Sequence, residues 1–218
     1  SFAVIWDVES KVAVRRVAGH HLPIRCVATA ELAPDMLATG SDDKVVNMHD
    51  MRSRRVVQKL DGFHDSVYAV VISGYCIVAA SLDGSLRSFD VREGLVSIDT
   101  LDSAIVAMDA MHDRVLLNHA SSSLTLIGRR DGSIAQRMSG FMNDSKRLGC
   151  CLCQEGRMAA VATESGEIFL YSAQTGAVVE KIRACREGYS ATSVQRCPSD
   201  SSCIASAGYD GMLKLWSL

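Results

Sequence analysis

"SLDGSLRSFDVR", residues 81–92, sets Asp83 and Asp90 on either side of a short alternating apolar segment that ends in an aromatic residue. Two carboxylates at that interval could work as an acid and a base, or could brace a piece of architecture. The flanking sequence bears on the choice. "VYAVVIS" (67–73), "CIVAAS" (76–81), "SLRSFD" (85–90) and "LVSIDTL" (95–101) read as four consecutive strands, with breaks at Ser73-Gly74, Asp83-Gly84 and Glu93-Gly94. Asp-Gly is a hairpin signal because glycine accepts the positive φ that a tight turn needs.

The pattern recurs. "SDDKVVNMHD" (41–50), "HASSSLTLIG" (119–128), "TESGEIFLYS" (163–172) and "GYDGMLKLWS" (208–217) align with it, and "SFAVIWDV" at the start is a remnant of one more. Trp6, His49, Phe89, Ile127, Tyr171 and Trp216 fall at one equivalent position, and Asp7, Asp50 and Asp90 follow three of them. The period is roughly forty residues, the range of propeller blades. Capped helix-period windows are absent, which argues against an α/β enzyme fold. A four-stranded repeat cannot bury both faces alone, and radial stacking buries them between neighbours while leaving few open edges. The expected fold is all-β: a β-propeller over residues 1–218, with repeats at about 1–19, 20–62, 63–103, 104–141, 142–185 and 186–218, four of them complete and two partial.

Composition limits the function classes. The 218 residues are 48% hydrophobic, with 23 basic side chains against 25 acidic ones and a net charge of -2. That balance provides no broad attraction to nucleic acid, and the densest basic run, "MRSRR" at 51–55, reads as a solvated turn. No apolar run is long enough to span a bilayer and no signal-peptide layout is present, so neither a membrane nor a secretory role is expected. The expected location is cytoplasmic, nuclear or both, with the eight cysteines reduced. "CCLC" at 150–153 lacks a C-x-x-C pair and a second half-site, and reads as small apolar thiols in a strand, with no metal and no cofactor expected.

"IWD" at 5–7, "KLW" at 214–216 and Gly19-His20 resemble the signatures of the WD-repeat family. In that family a His, a strand Ser or Thr, a turn Asp and the Trp form a buried hydrogen-bonded set. By position the resemblance implies His20, Ser41 and Asp43 in one blade, with His49 replacing the Trp, and His64, Ser81 and Asp83 in the next, with Phe89 standing in. Trp6 and Trp216 hold the Trp position in their repeats. Later blades depart further, with Ser121 and Ser165 at the turn Asp position and Gly208 in place of the strand Ser. On this reading Asp83 is a structural acceptor and Asp90 the D of a degenerate WD.

The runs "VIWDVESKVAVRRVAGH", "DMRSRRVVQKL", "AASLDGSLRSFDVREG", "SSSLTLIGRRDG" and "KRLGCCL" resemble, in order, the mitogen-activated protein kinase organizer family of seven-bladed scaffolds. The resemblance implies a non-catalytic scaffold that organises kinase-cascade components. It also implies a link to the spliceosome and pre-mRNA splicing as the alternative. Against a seven-bladed ring, an N-terminal portion is expected to be missing; a small five-bladed ring is the competing arrangement.

An enzyme with a polar central channel is the reading from another class. The pairs His49-Asp50, His64-Asp65 and His112-Asp113 fall at a WD position and in turns, without the helical presentation that would converge metal ligands, and no phosphate-loop, dinucleotide or nucleophile-elbow motif is present. Function should therefore come from surfaces. In a propeller the loops between blades share a face with the turns between middle strands, and here they read "GHHLPIR", "LDGFHDSV", "LDSAI", "SGFMNDSKRL" and "RACREGYSA". Phe141, Met142, Lys146, Arg147, Arg186 and Tyr189 carry the residue types of a protein interface, so other proteins are the expected partners, with no direct nucleic acid and no small-molecule substrate.

Overall fold

The structure is a computed structural model that describes residues 1–30, 35–53, 55–129, 131–143 and 146–218. Arg54 of the basic run and Asp144 and Ser145 of the fourth loop lie outside the described residues. Each predicted four-strand repeat forms one antiparallel meander. In the unit Ser1–Ala104, β1 (Phe2–Trp6) pairs with β2 (Ala13–Ala18). Next comes a sheet of β3 (Ile24–Thr29), β4 (Met36–Ser41), β5 (Val46–Asp50) and β6 (Val56–Leu60). The third contains β7 (Val67–Ser73), β8 (Cys76–Ser81), β9 (Ser85–Asp90) and β10 (Gly94–Thr100).

The unit Ile105–Leu218 repeats the plan. Its first sheet is β11 (Ile105–Met111), β12 (Arg114–His119), β13 (Ser123–Gly128) and β14 (Ile134–Met138). Its second is β15 (Cys150–Cys153), β16 (Met158–Ala162), β17 (Glu167–Ser172) and β18 (Val178–Arg183). The last described sheet has three strands, β19 (Ala191–Arg196), β20 (Cys203–Gly208) and β21 (Leu213–Ser217). Among the described residues the only helix is a single 3-10 turn, Gln154–Gly156, and no helix is long and apolar enough to cross a membrane.

The sheets repeat down to their irregularities. First strands are bulged at Ile24/Cys26, Val67/Ala69, Ile105/Ala107 and Ala191/Ser193, at the same point of each register. Third and fourth strands slip at Met48/His49, Leu95/Ser97, Leu126/Ile127 and Leu170/Tyr171. A bulge adds local twist, so the β3–β6, β7–β10 and β11–β14 sheets, which carry both irregularities, are twisted at the same two places.

Within each unit the sheets bury one another. Ala38, Val46 and Met48 pack with Val67, Val70, Ile77 and Phe89 of the following sheet. The β15–β18 sheet is covered on both faces: Cys150, Leu152, Ala159, Val161 and Phe169 share a core with Leu116, Leu124 and Leu126, while Cys151, Cys153, Ala160 and Ile168 share another with Ala191, Val194 and Ile204. Two-sided burial is why "CCLC" and "MAAVA" are continuous apolar runs instead of alternating ones. Burial in that core pushes the Cys150, Cys151 and Cys153 thiols up, Cys153 to about 12.

Each turn between second and third strands needs one left-handed residue: Lys44 (φ 67°), Gly84 (80°), Ser122 (58°), Gly166 (81°) and Gly211 (73°). The turn between first and second strands makes the same demand at Gly74 (60°) and His112 (52°). A side chain in that region costs roughly 1–2 kcal/mol, partly offset by the entropy glycine loses on folding. Exposed His112 should therefore yield to glycine with a gain of about 0.5–1 kcal/mol, read as a higher midpoint in chemical denaturation with an unchanged slope.

Candidate functional site

Where the chain leaves one sheet for the next, a backbone N–H must find an acceptor outside the strand ladder. The turn carboxylates supply it. Asp43 accepts the His21 N–H at 3.0 Å, Asp83 that of His64 at 2.7 Å and Asp210 that of Arg186 at 3.1 Å. Burial alone would raise the Asp43 and Asp83 carboxyls; these hydrogen bonds, with those from His20 to Asp43 and from Ser85 to Asp83, outweigh it and hold both below the usual range. Ser41 and Ser81 brace the same corner, each accepting its Asp N–H at 3.2 Å and donating to a loop carbonyl, Leu22 at 3.2 Å or Asp65 at 3.1 Å.

In the β3–β6 sheet this corner extends into a chain of buried polar groups. His20 Nδ1 lies 3.0 Å from both Asp43 oxygens, His20 Nε2 lies 2.8 Å from Thr39 Oγ1, and Thr39 Oγ1 lies 2.9 Å from His49 Nε2. With both rings neutral every link has one donor: His49 Nε2–H to the Thr39 hydroxyl, that hydroxyl to His20 Nε2, and His20 Nδ1–H to the carboxylate. Burial, and then the neighbouring His20, push His49 down to about 4. The strand hydroxyl is therefore Thr39, and the assignment of Ser41 to that place is corrected. Leu37 is opposite His49, so Thr39, two residues further on the same face, brings its hydroxyl between the rings, while Ser41 lies at the strand end.

The next sheet has the same geometry in apolar side chains. His64 is exposed and only its backbone N–H reaches Asp83; it corresponds to His21, and Phe63 occupies the place of His20. Ala79 stands where Thr39 does, and the Phe63 and Phe89 rings are 6.1 Å apart, tilted by 52°. The expectation of a His64–Ser81–Asp83 side-chain set is thus corrected by one residue of register: Gly62-Phe63 is the counterpart of Gly19-His20, with Gly62 at φ 95° and Gly19 at φ 149°.

Gly140-Phe141 is a third case, at φ 103°. Phe141 is 4% exposed, 6.4 Å from both the Phe169 and Tyr171 rings, and the Tyr171 hydroxyl donates to the Ser139 carbonyl at 3.0 Å. Its placement on a partner-binding surface is corrected: it is the buried ring of its sheet. In the last sheet Trp216 Nε1 donates to Ser206 Oγ at 2.9 Å, Ser206 taking the Thr39 position. The small Cys185 replaces the ring there, and Gly208 is required because a Cβ would meet the Cys185 sulfur at 2.1 Å. Trp6 is 61% exposed, and among the described residues its indole has no hydrogen-bond partner, so it stands outside any such set.

The other expected interface residues are on two loops of the second unit. Met142 is 71% exposed and Tyr189 47%, with Arg147 and Arg186 exposed as well. Lys146 is half-buried; its Nζ donates to Ser190 Oγ at 2.7 Å and lies 4.8 Å from the centre of the Tyr209 ring, tying the fourth loop to the fifth. Tyr209, 63% exposed in the β20–β21 turn, was missed by the sequence reading, although such turns share a face with the loops.

Elsewhere Asp109 and Arg196 form a largely buried ion pair, 2.5 Å apart; Asp109 also accepts the Leu152 N–H at 2.8 Å. Burial pushes the Asp109 carboxyl up despite both contacts. These bonds tie β11, β15 and β19 together, a structural task. No group of three or more His, Cys, Asp or Glu side chains that could hold a metal occurs among the described residues.

Repeated four-stranded meanders, joined by a turn Asp that caps the incoming loop and in one sheet by a Trp–Ser bond, define a WD-repeat β-propeller protein. Residues 181–217 match the WD domain, G-beta repeat family, a segment that starts in β18 and ends in β21 and contains Cys185, Ser206, Asp210 and Trp216. WD repeat domain-containing protein 83 of Rattus norvegicus is 31% identical over 131 residues, 58% of this chain and 42% of that protein. Its Xenopus tropicalis counterpart is 29% identical over 169 residues, 76% of this chain and 52% of that protein. The Dictyostelium discoideum homolog is 21% identical over 245 residues, 97% of this chain and 74% of that protein. The chain thus spans less than half the length of the rat relative it matches.

Two outcomes follow from the buried set. Thr39→Ala should cost about 1–3 kcal/mol by leaving buried ring nitrogens unpaired. The triple His20→Phe, Thr39→Ala, His49→Phe, which copies Phe63, Ala79 and Phe89, should be close to neutral, since an apolar set of like shape often replaces a buried polar one without loss. Because His49 titrates at about 4 when folded against 6.5 when free, its contribution is intact above pH 6.5 and is lost as pH falls toward 4. Denaturation at several pH values should show a shallower acid decline in the triple variant.

Phe141→Ala should destabilise by about 3–5 kcal/mol. Met142→Ala should stay within about 0.5 kcal/mol. Thermal unfolding of the two variants side by side checks the assignment of neighbouring residues to core and surface.

Proposed function

We propose that this chain is part of a non-catalytic WD-repeat scaffold that assembles multiprotein complexes, and that it organises components of a mitogen-activated protein kinase cascade in the cytoplasm, the nucleus or both. The observation that carries the reading is the division of labour among side chains. The distinctive polar groups, His20, Thr39, Asp43, His49, Ser206 and Trp216, are bonded to one another inside the sheets. Met142, Arg147, Arg186, Tyr189 and Tyr209 are exposed, and the Lys146–Ser190 link joins the two loops that carry the first four. Exposed aromatic, Met and Arg side chains ringed by polar groups have the composition of a protein interface.

Support for the kinase-cascade assignment comes from the resemblance of "GSLRSFDVR" and "LGCCL" to the organizer family and from the likeness to proteins named WD repeat domain-containing protein 83. The experiment is capture from cells with the chain and with a variant carrying Met142→Ala, Arg147→Ala, Arg186→Ala and Tyr189→Ala. Recovery of kinase-cascade components by the parent and about tenfold less by the variant, at equal thermal stability, is the expected result. A purely splicing set of partners would replace the kinase assignment, and undiminished capture by the variant would remove this surface.

A further inference from the structure

The Ser1–Ala104 unit carries a basic cleft of its own, apart from the surface just described. In the sequence, Arg15-Arg16 and the "MRSRR" run are some forty positions apart and each is a short basic stretch. The fold brings them together. β2 carries Arg15 and Arg16 to the turn that joins β5 to β6, and Arg15, Arg16 and Arg55 line one cleft together with Asp50, Ser53 and His49. Counting the space open to solvent, the cleft encloses about 230 Å³.

The three arginines are short of anions. Arg15 donates from Nη1 to the Ser53 carbonyl at 3.2 Å, which fixes its fork at the cleft, and Arg16 lies over the Phe2 ring at 4.7 Å. Neither they nor Arg55 has a carboxylate partner among the described residues, whereas Arg52 of the same turn is paired with Asp35. Asp50, the one carboxylate of the lining among the described residues, is turned to its own loop and accepts the Arg52 N–H at 2.8 Å. Three guanidiniums against one carboxylate leave a concave, net positive surface rich in planar N–H donors.

We propose that this cleft binds a phosphorylated side chain on a segment of a protein partner. A phosphate monoester carries a charge of about -1.5 to -2 and three strong acceptor oxygens, matched to converging guanidinium forks. Two observations favour a protein segment over other phosphates. Arg55, exposed in the lining, stands one residue before β6, and β6 is the outermost strand of its sheet with Val57 exposed, so an extended peptide has a strand edge to pair with beside the arginines. No Phe, Tyr or Trp lines the cleft to stack a nucleobase, and the net charge of -2 gives a polyanion no wider track to follow.

The test titrates the chain with a capped Gly-Gly-phosphoserine-Gly-Gly peptide, the same peptide with unmodified serine, inorganic phosphate and a short oligouridylate, following amide chemical shifts. The phosphopeptide should bind at least about tenfold tighter than each of the other three, more weakly as salt rises, and with its shifts confined to β2, the β5–β6 turn and β6. Arg55→Glu should lower that affinity by about ten- to a hundredfold with unfolding unchanged, and Arg55→Lys by less. Equal binding of the serine peptide, an Arg55→Glu chain that binds as before, inorganic phosphate binding as tightly as the phosphopeptide, or tighter binding of the oligouridylate would each overturn the proposal. None of these outcomes touches the Met142–Tyr189 surface, so the two readings fail separately.

Discussion

A single hydrogen bond organises the passage from sheet to sheet: a turn carboxylate accepts the N–H of the residue just past the loop's entry, as Asp43 does for His21, Asp83 for His64 and Asp210 for Arg186. A loop donor at such a corner has left its ladder, and a carboxylate held by a tight turn is an acceptor that cannot rotate away. Where the turn Asp is absent the demand persists. In the β15–β18 sheet Glu164 caps a later point of the loop, accepting the Lys146 N–H at 2.6 Å. In the three sheets with a turn Asp the bond fixes the residue next to the one that turns inward beside the third strand, His20, Phe63 or Cys185.

That inward position tolerates opposite chemistries. His20, Thr39 and His49 fill it with a relay of hydrogen bonds; Phe63, Ala79 and Phe89 fill it with rings and a methyl group; Phe141, Val161 and Tyr171 combine the two, the tyrosine hydroxyl reaching back to the loop. What the sheets share is volume and placement. A buried polar set contributes little net stability over an apolar one of the same shape, but an incomplete set is costly. Whole sets therefore exchange more readily than single members.

Because these side chains serve one another, the groups left to solvent lie at the periphery, in two regions of different character. Around Lys146 and Tyr209 the surface is aromatic and mixed in charge, and the Lys146–Ser190 bond joins two loops. Between β2 and the β5–β6 turn it is basic and concave. An overall balance of 23 basic and 25 acidic residues conceals the second, since a local excess of arginine is compatible with a near-neutral chain.

Strands and turns were legible in the sequence because they depend on local rules. Alternation over residues 67–73, 76–81 and 85–90 and the glycine demand at Asp83-Gly84 are properties of a few adjacent residues, and the observed β7, β8 and β9 coincide with them. Pairing across sheets is not local. Gly-Phe at 62–63 and 140–141 is the same device as Gly-His at 19–20, but only burial reveals that a phenylalanine ring and an imidazole fill one position, or that Thr39 and not Ser41 meets the rings. Phe141 and Met142 are equally apolar neighbours on paper; the positive φ at Gly140 turns one inward and leaves the other in water. The meeting of Arg15 with Arg55 likewise belongs to the tertiary structure alone, because adjacency between separate sheets is decided by how the chain stacks and leaves no periodic trace in sequence.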